Sequence, residues 1–408
     1  MNEKNKIVIG DCLEELKKLP NNSVDCCVTS PPYFNLRSYM EDSEHEIGKE
    51  ETLPEYISKL VEVFEEVRRV LKDSGTFWLN IGDSYAGSGK GRNPDGSSHS
   101  SALAAKQGTN GSVVGNIKGG NIPAGIKRKE LMNVPHRLVI ALSDAGWYHR
   151  QTIIWAKATS GEIREGSCMP ESVNDRLNQS FEYIFLLTKK DKYYFDSYAI
   201  KEPVSQNSIQ LSKSGWKPNH KAGVGHAIQP EVFENMERFV PSDGLANMRS
   251  VWRINLQPGS NGNHIAGFPE KIPYYCIKAG SSEKGCCNDC GKPYERILES
   301  NKINRNELDP DNPNYRPNNY NGKYTEINGK GDGGYNNTVH LGWQKTCNCE
   351  SNELTPSLIL DPFMGSGTVA VVALKEQRDF YGIELNPESQ QFAMERIKPH
   401  FYKSKNLF

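Results

Sequence analysis

The feature that most limits this chain is an unfinished half-sheet near residue 408. "SLILDPF" (357–363) reads as a buried strand, "GSGTVAVVALKEQ" as a helix entered through a Gly-rich turn, and "DFYGIEL" (379–385) as a second strand. Such a unit opens a doubly wound α/β sheet, whose ligands bind at the carboxyl ends of the central strands. Glu384 ends the second strand about 20 residues after the turn, the offset of a carboxylate that holds ribose hydroxyls. One helix follows, "NPESQQFAMERI", with Asn386 as N-cap and Pro387 at its first position. The later strands of the wind are missing from this end.

They are expected at the other end. "KIVIG" (6–10), the helix "DCLEELKKL" (11–19) with Asp11 as N-cap, and "VDCCV" (24–28) form a strand–helix–strand unit that would supply strands three and four. The sheet is then complete but circularly permuted, with both chain ends at one crevice. Between them, Thr52 and Glu55 make a capping box for a long amphipathic helix expected to close at Gly75. A strand over 75–83, a helix over 134–147 and two pairable strands, "YHRQTIIWAKA" and "FEYIFLLTKK", continue the rhythm. Repeated βα units predict a parallel sheet with helices on both faces. Residues 84–130, 191–263 and 301–340 interrupt it with Gly, Ser, Asn and Tyr, as long functional loops do.

The strand at 24–28 runs into "TSPPY" (29–33). Paired prolines stop a strand in a stiff, extended loop. This one presents a hydroxyl, a carbonyl outside any helix and an aromatic ring, a set suited to a flat polar ligand. The Gly turn Asp361-Pro362-Phe363-Met364-Gly365-Ser366-Gly367-Thr368 is not a Walker A loop, and it lacks the third glycine of the nicotinamide fingerprint.

Together these stretches resemble the DNA amino-methyltransferases of the permuted β class, in which the catalytic motif precedes the cofactor motif. "DPFMGSGT" resembles that family's S-adenosylmethionine loop, "GIELNPE" its ribose-binding motif, "GDCLE" its adenine-contacting motif and "TSPPY" its catalytic motif. "HIAGFPEKIPYYCIKAGS" (264–281) resembles the segment leading to the cofactor strand. The resemblance covers roughly residues 6–190 and 264–397. It implies a Rossmann-like, circularly permuted S-adenosylmethionine-dependent methyltransferase sheet carrying long loop and zinc-knuckle insertions. It implies Asp11, Asp361, Phe363, Gly365, Gly367, Thr368 and Glu384 as cofactor-binding residues, and Ser30, Pro31, Pro32 and Tyr33 as the catalytic corner. Phe268, His264 and Asp83 stand near these motifs, equally compatible with core, capping and turn positions.

An exocyclic amine on a DNA base is a poor nucleophile, because its lone pair is delocalised into the ring. Two acceptors aimed at its N–H bonds, Ser30 Oγ and the Pro31 carbonyl, would draw that lone pair back to nitrogen, so orientation and electrostatics carry the catalysis. The base must leave the duplex to be reached, and Tyr33 could stack on it. In the family, Ser-Pro-Pro-Tyr goes mostly with cytosine N4 and Asp-Pro-Pro-Tyr with adenine N6. The resemblance thus implies an N4-cytosine enzyme acting on duplex DNA. The alternatives are adenine N6, an RNA or protein amide, and a non-catalytic zinc-containing DNA-binding protein.

Six of ten cysteines fall between Cys276 and Cys349. Cys287 and Cys290 form a C-x2-C knuckle and Cys347 and Cys349 a C-x-C pair, a ligand set suited to structural zinc, with Cys286 able to replace Cys287. Similar pairs occur in some relatives. A formal net charge of −1 means that a polyanion must be held by local patches. Residues 84–130 supply one, with seven Lys/Arg (Lys90, Arg92, Lys106, Lys118, Lys127, Arg128, Lys129) against two acids. Residues 191–263, with Lys213, Trp216, Lys217, His220 and Lys221, are the expected target-recognition region, and 301–340 its rival. The expected division is 1–190 for the catalytic half, 191–263 for recognition, and 264–408 for the cofactor half with its insert at 284–352. Mean hydropathy of −0.65 and no apolar run of membrane length give the expectation of a cytoplasmic protein. The resemblance implies a bacterial or phage-encoded one, with a restriction endonuclease as a counterpart acting on the same site.

Overall fold

The computed structural model describes residues 4–34, 46–86, 123–158, 173–204, 245–256, 268–303 and 335–404. In chain order these form β1 (Lys6–Ile9), α1 (Cys12–Lys17), β2 (Val24–Thr29), α2 (Leu53–Val70), β3 (Leu71–Ile81), α3 (Val134–Asp144), β4 (Tyr148–Ala158), β5 (Phe181–Thr188), β6 (Glu202–Pro203), β7 (Leu245–Ala246) and β8 (Val251–Asn255). They continue as α4 (Lys271–Gly280), β9 (Cys286–Cys287), β10 (Glu295–Ile303), β11 (Tyr335–Gln344), β12 (Leu354–Thr355), β13 (Leu358–Asp361), α5 (Thr368–Lys375), β14 (Asp379–Glu384) and α6 (Pro387–Ser404).

One eight-stranded sheet runs in the order β1-β14-β13-β2-β3-β5-β4-β8. Both ends of the chain build its middle and one flank. β1 pairs with β14 in parallel, Ile7 opposite Gly382, and β13 lies beside β2, Ile359 opposite Cys26. The expected permutation is therefore present. The sheet is mixed rather than wholly parallel, because β5 runs antiparallel to both β3 and β4. β8 adds a parallel edge strand beside β4 that periodicity did not reveal.

Alternation along the strands sorts the core onto two faces. Cys27, Phe77, Leu79, Leu360 and Tyr381 join one buried cluster with Leu16 of α1, Leu60 and Phe64 of α2 and Leu138 of α3. Cys26, Thr76 and Trp78 point the other way, onto Gly280 at the end of α4; a Cβ there would lie 2.2 Å from Thr76 Oγ1. α4 and α6 both pack on α5 on that side.

The long helix ends earlier than expected. α2 has the predicted Thr52–Glu55 capping box, but it stops at Val70, and Leu71 is already extended at φ −68°, ψ 136°. Gly75 is not a helix terminator. A Cβ there would lie 2.6 Å from Leu71 Cγ, so glycine lets the chain fold back closely over Leu71 as β3 enters the sheet. A register shift between Val24 and Cys26 absorbs the extra residues.

Two compact units result. The larger comprises Met1–Asp196, Arg249–Tyr294 and Lys345–Phe408, and carries the eight-stranded sheet. The smaller comprises Ser197–Met248 and Glu295–Gln344. Its described part is the β6–β7 ladder and the β10–β11 antiparallel ribbon, on which the Arg296 guanidinium lies 4.4 Å over Trp343. Among the described residues no helix is long and apolar enough to cross a membrane.

Candidate active site and cysteine cluster

β2 and β13 are adjacent and parallel, so the turns that follow them leave the same edge of the sheet. Thr29 Oγ1 donates to Asp361 Oδ1 at 2.6 Å, a buried bond between the last residues of the two strands. Asp361 Oδ1 also accepts from the Phe363 N–H at 3.0 Å, which starts the Gly turn. Burial pushes the Asp361 carboxyl up to about 7, while the two donors oppose the shift.

The turn is a backbone cradle. Gly365 has φ +50° and its missing Cβ faces open space, the nearest atom being Phe363 O at 3.9 Å. Its N–H donates to Glu384 Oε2 at 2.7 Å, and the Asn386 N–H donates to Glu384 Oε1 at 2.9 Å. Gly367, at φ +77°, brings α5 against α6; a Cβ there would lie 2.9 Å from Ala393 Cβ. Thr368 is buried at the start of α5, and Arg396 of α6 clamps the turn through Ser366 O at 2.6 Å. Asp11 caps α1 through Oδ1, which accepts from Leu13 and Glu14 N–H. Asp11, Glu384 and Asp361 thus stand at the carboxyl ends of the neighbouring strands β1, β14 and β13. Phe363 is half-buried and meets Phe64 edge-on at 6.4 Å between centroids.

On the other side of this edge lies the proline corner. Pro31 is buried, and Ser30, Pro32 and Tyr33 are half-buried. The Pro32 carbonyl is taken by Tyr56 Oη of α2 at 2.7 Å, so the corner is braced from below. Tyr33 Oη donates to Glu182 Oε2 of β5 at 2.7 Å, and the nearby Ser30 hydroxyl opposes the rise of the phenol's pKa. Burial pushes the Tyr33 hydroxyl well above its ordinary value, which keeps it a donor. Lys157 Nζ of β4 holds Glu182 Oε1 at 2.6 Å, and Asn80 Nδ2 of β3 reaches Oε2 at 3.3 Å. Gly82 makes room for the ring: a Cβ there would lie 2.9 Å from Tyr33 Cε2.

Sequence reading missed Glu182, Lys157 and Asn80. The signal was present as an acid in "FEYIFLLT" and a lysine in "IIWAKA", polar residues in apolar strands. Asp83 behaves as a turn residue, with Oδ1 accepting from Ser84 and Val134 N–H at 2.9 and 3.1 Å, and burial raises its pKa. Phe268 is half-buried. His264, Lys90, Arg92, Lys106, Lys118, Lys213, Trp216, Lys217, His220 and Lys221 lie outside the described residues. Lys127, Arg128 and Lys129 are exposed. They lie where the basic segment returns to β3, its ends joined by Ala86 N–H to Glu130 O and Lys129 N–H to Ala86 O, both 2.9 Å.

At the amino end of β2 sits the cysteine cluster. The sulfurs of Cys287, Cys290, Cys347 and Cys349 all lie within 4.8 Å of one another. Tetrahedral zinc with bonds of about 2.3 Å needs sulfurs about 3.8 Å apart, so the four can hold zinc with no open position. Backbone N–H groups, that of Cys290 foremost, bring the Cys287 thiol down to about 7, toward the thiolate a metal requires. Cys286 is not an alternative ligand. Its Sγ faces Asp25 Oδ1 at 3.2 Å and Ser357 Oγ at 3.6 Å, on the sheet side of β9. Asp25 also binds Lys72 Nζ at 2.7 Å, and Lys72 in turn donates to Gly291 O at 2.9 Å, tying the knuckle to the sheet.

Against known proteins, the chain matches the DNA methylase family, which groups N6 and N4 methyltransferases, over residues 24–290 and 349–395. It is 32% identical to the type II methyltransferase M.XycI of Xanthomonas campestris pv. cyanopsidis, covering 95% of this chain and 86% of that one. It is 33% identical to the type II methyltransferase M.SmaI of Serratia marcescens, over 96% of this chain and 90% of that one. The solved structure of the cytosine-N4-specific PvuII DNA methyltransferase aligns over 100% of this chain and 94% of its own, at a TM-score of 0.48 and 15% identity, too distant to bear on the choice of base. A family match spanning most of the sheet, and relatives aligned over nearly their whole length, make this chain a member of the DNA methylase family.

Proposed function

We propose that this protein transfers a methyl group from S-adenosylmethionine to the exocyclic N4 of cytosine in duplex DNA, after flipping the base out. The observation that carries the reading is Ser30, a hydroxyl where a carboxylate would favour adenine, one residue beyond a strand hydrogen-bonded to the strand that opens the Gly turn. S-adenosylmethionine supplies an electrophilic methyl on a sulfonium. The residues suit it chemically: Asp11, Asp361 and Glu384 give acceptors to a cationic ligand rich in N–H and O–H donors, and the open side of Gly365 admits a close approach. Each Glu384 oxygen uses one lone pair on backbone N–H and keeps another for a hydroxyl.

At the other half of the crevice, Ser30 Oγ and the Pro31 carbonyl accept from the two N–H bonds of the target amine and favour its attack. Tyr33 stacks on the flipped ring. The Pro32 carbonyl, bonded to Tyr56, holds the backbone still and leaves its neighbour for the substrate. The four-cysteine cluster acts as a structural staple, distant in role from the chemistry. Exposed Lys127, Arg128 and Lys129 contribute to a phosphate clamp. We infer further that the modified site is one a restriction endonuclease would otherwise cut. The deciding experiment is methylation of mixed-sequence DNA, digestion to nucleosides and mass spectrometry. N4-methylcytosine supports the reading, and N6-methyladenine replaces it with the sister reaction.

A further inference from the structure

The Ser-Pro-Pro-Tyr corner has no carboxylate of its own, yet methylating an amine releases a proton. The nitrogen lone pair forms the new N–C bond, the C–S bonding pair departs with sulfur, and the nitrogen is left cationic with both protons. One must go. Ser30 can pass a proton but cannot keep it, because an alkyl hydroxyl is not a base near neutral pH.

The structure contains a route from Ser30 to a carboxylate. The Ser30 hydroxyl lies near enough to the Tyr33 phenol to oppose the rise of its pKa, and Tyr33 Oη donates to Glu182 Oε2 at 2.7 Å. Three strands converge on Glu182. It stands on β5, accepts Lys157 Nζ of β4 at 2.6 Å and is reached by Asn80 Nδ2 of β3 at 3.3 Å. Asn80 is buried and is also tied to Tyr183 O at 3.1 Å, so its amide has a fixed orientation. The Glu182 side chain is 13% exposed, enough to return a proton to water and too little to be a free surface acid. Gly82 completes the fit, since any side chain there would press on both Tyr33 and Glu182. A mere brace for the corner is already present in the Tyr56–Pro32 bond, which needs no charge.

We propose that Glu182 is a positioning residue for the reaction, fixing the Tyr33 hydroxyl as the middle link of a Ser30–Tyr33–Glu182 chain and taking up the released proton. The inference rests on the methyl-transfer reading above. The amine proton moves to Ser30 Oγ as the Ser30 proton moves to Tyr33 Oη and the Tyr33 proton to Glu182 Oε2. Serine and tyrosine end neutral, Glu182 ends as a carboxylic acid, and water then takes the proton. The carboxylate that the corner lacks comes from across the sheet.

The test uses the full chain, DNA from a methylation-deficient host and S-adenosyl-[methyl-3H]methionine, with Tyr33→Phe, Glu182→Gln and the double variant. Each single substitution is expected to lower kcat about 10- to 100-fold with cofactor KM unchanged. The double variant is expected to be no slower than the slower single one, because both cut the same chain. Glu182→Asp, which keeps the base, should recover part of the rate. Should Glu182→Gln fold poorly, Tyr33→Phe removes one oxygen and decides by its kcat at unchanged cofactor KM. Tyr33→Phe at wild-type kcat overturns the inference while methyl transfer stands. Multiplicative losses in the double variant overturn it too. Wild-type protein that labels no DNA overturns the underlying reading itself.

Discussion

Thr29 Oγ1 and Asp361 Oδ1 meet at 2.6 Å, although 332 positions separate the two residues. The bond fastens the last residue of β2 to the last residue of β13, where the proline corner and the Gly turn both begin. Thr29 is fully buried and Asp361 nearly so. Thr29→Val keeps the shape and removes the donor. A loss of about 1–3 kcal/mol is expected, read as a lower urea midpoint at unchanged m-value, and Thr29→Ser should recover most of it.

Asp361 also predicts a pH dependence. Burial lifts its carboxyl from the ordinary 3.8 to about 7. Between those values the native state keeps a proton that the unfolded chain has lost, so stability falls as pH rises through the window. Above about 7 both states are ionised and the whole cost of the buried charge is present. Asp361→Asn retains an oxygen to accept from Thr29 and Phe363. It should raise the thermal midpoint more at pH 8 than at pH 5, by calorimetry in matched buffers.

Ser30→Ala should lower methyl transfer by about 10²–10³-fold, the scale of losing one aligned partner in a preorganised site. S-adenosylmethionine affinity by calorimetry should stay near wild type, because the carboxylates proposed to hold the cofactor stand on other strands. Tyr33→Ala should behave alike. Full activity in both would remove the corner from the chemistry.

Purified protein should carry one zinc per chain by elemental mass spectrometry. Cys290→Ser or Cys347→Ser should lose it, while Cys286→Ser should retain it, since that sulfur is committed to Asp25 and Ser357. Zinc retained in Cys290→Ser would place the metal elsewhere.

Gly82→Ala should slow methyl transfer more than it lowers the thermal midpoint. The added carbon would stand 2.9 Å from Tyr33 Cε2, one residue past the carboxyl end of β3.

What was legible in the sequence followed from short-range rules. Capping at Asp11 and Thr52, the short apolar run of β2 and the glycine turn before α5 each depend on a few neighbouring residues. The joining of the two ends was readable because each half left the same wind incomplete. The end of α2 was not, because Leu71 continues the helical spacing and only the sheet pulls it into β3. Nor was the choice between Cys286 and Cys287. They are consecutive on β9, so one faces the sheet and the other the cluster, and pairing with Leu354 and Thr355 decides which. Glu182, Lys157 and Asn80 escaped because they come from three strands that meet only in the folded sheet.

The permuted order also governs how the protein is born. When β1 and β2 leave the ribosome, the strands that will flank them, β14 and β13, have yet to be translated. β2 can pair early with β3, but β1 has no place in the sheet until synthesis passes Glu384. Contacts this distant in sequence form slowly and leave an apolar strand edge open meanwhile. A chain cut short before Leu358 would lose both the centre of its sheet and the neighbour of its first strand, so premature termination should yield a target for proteolysis rather than a partial enzyme.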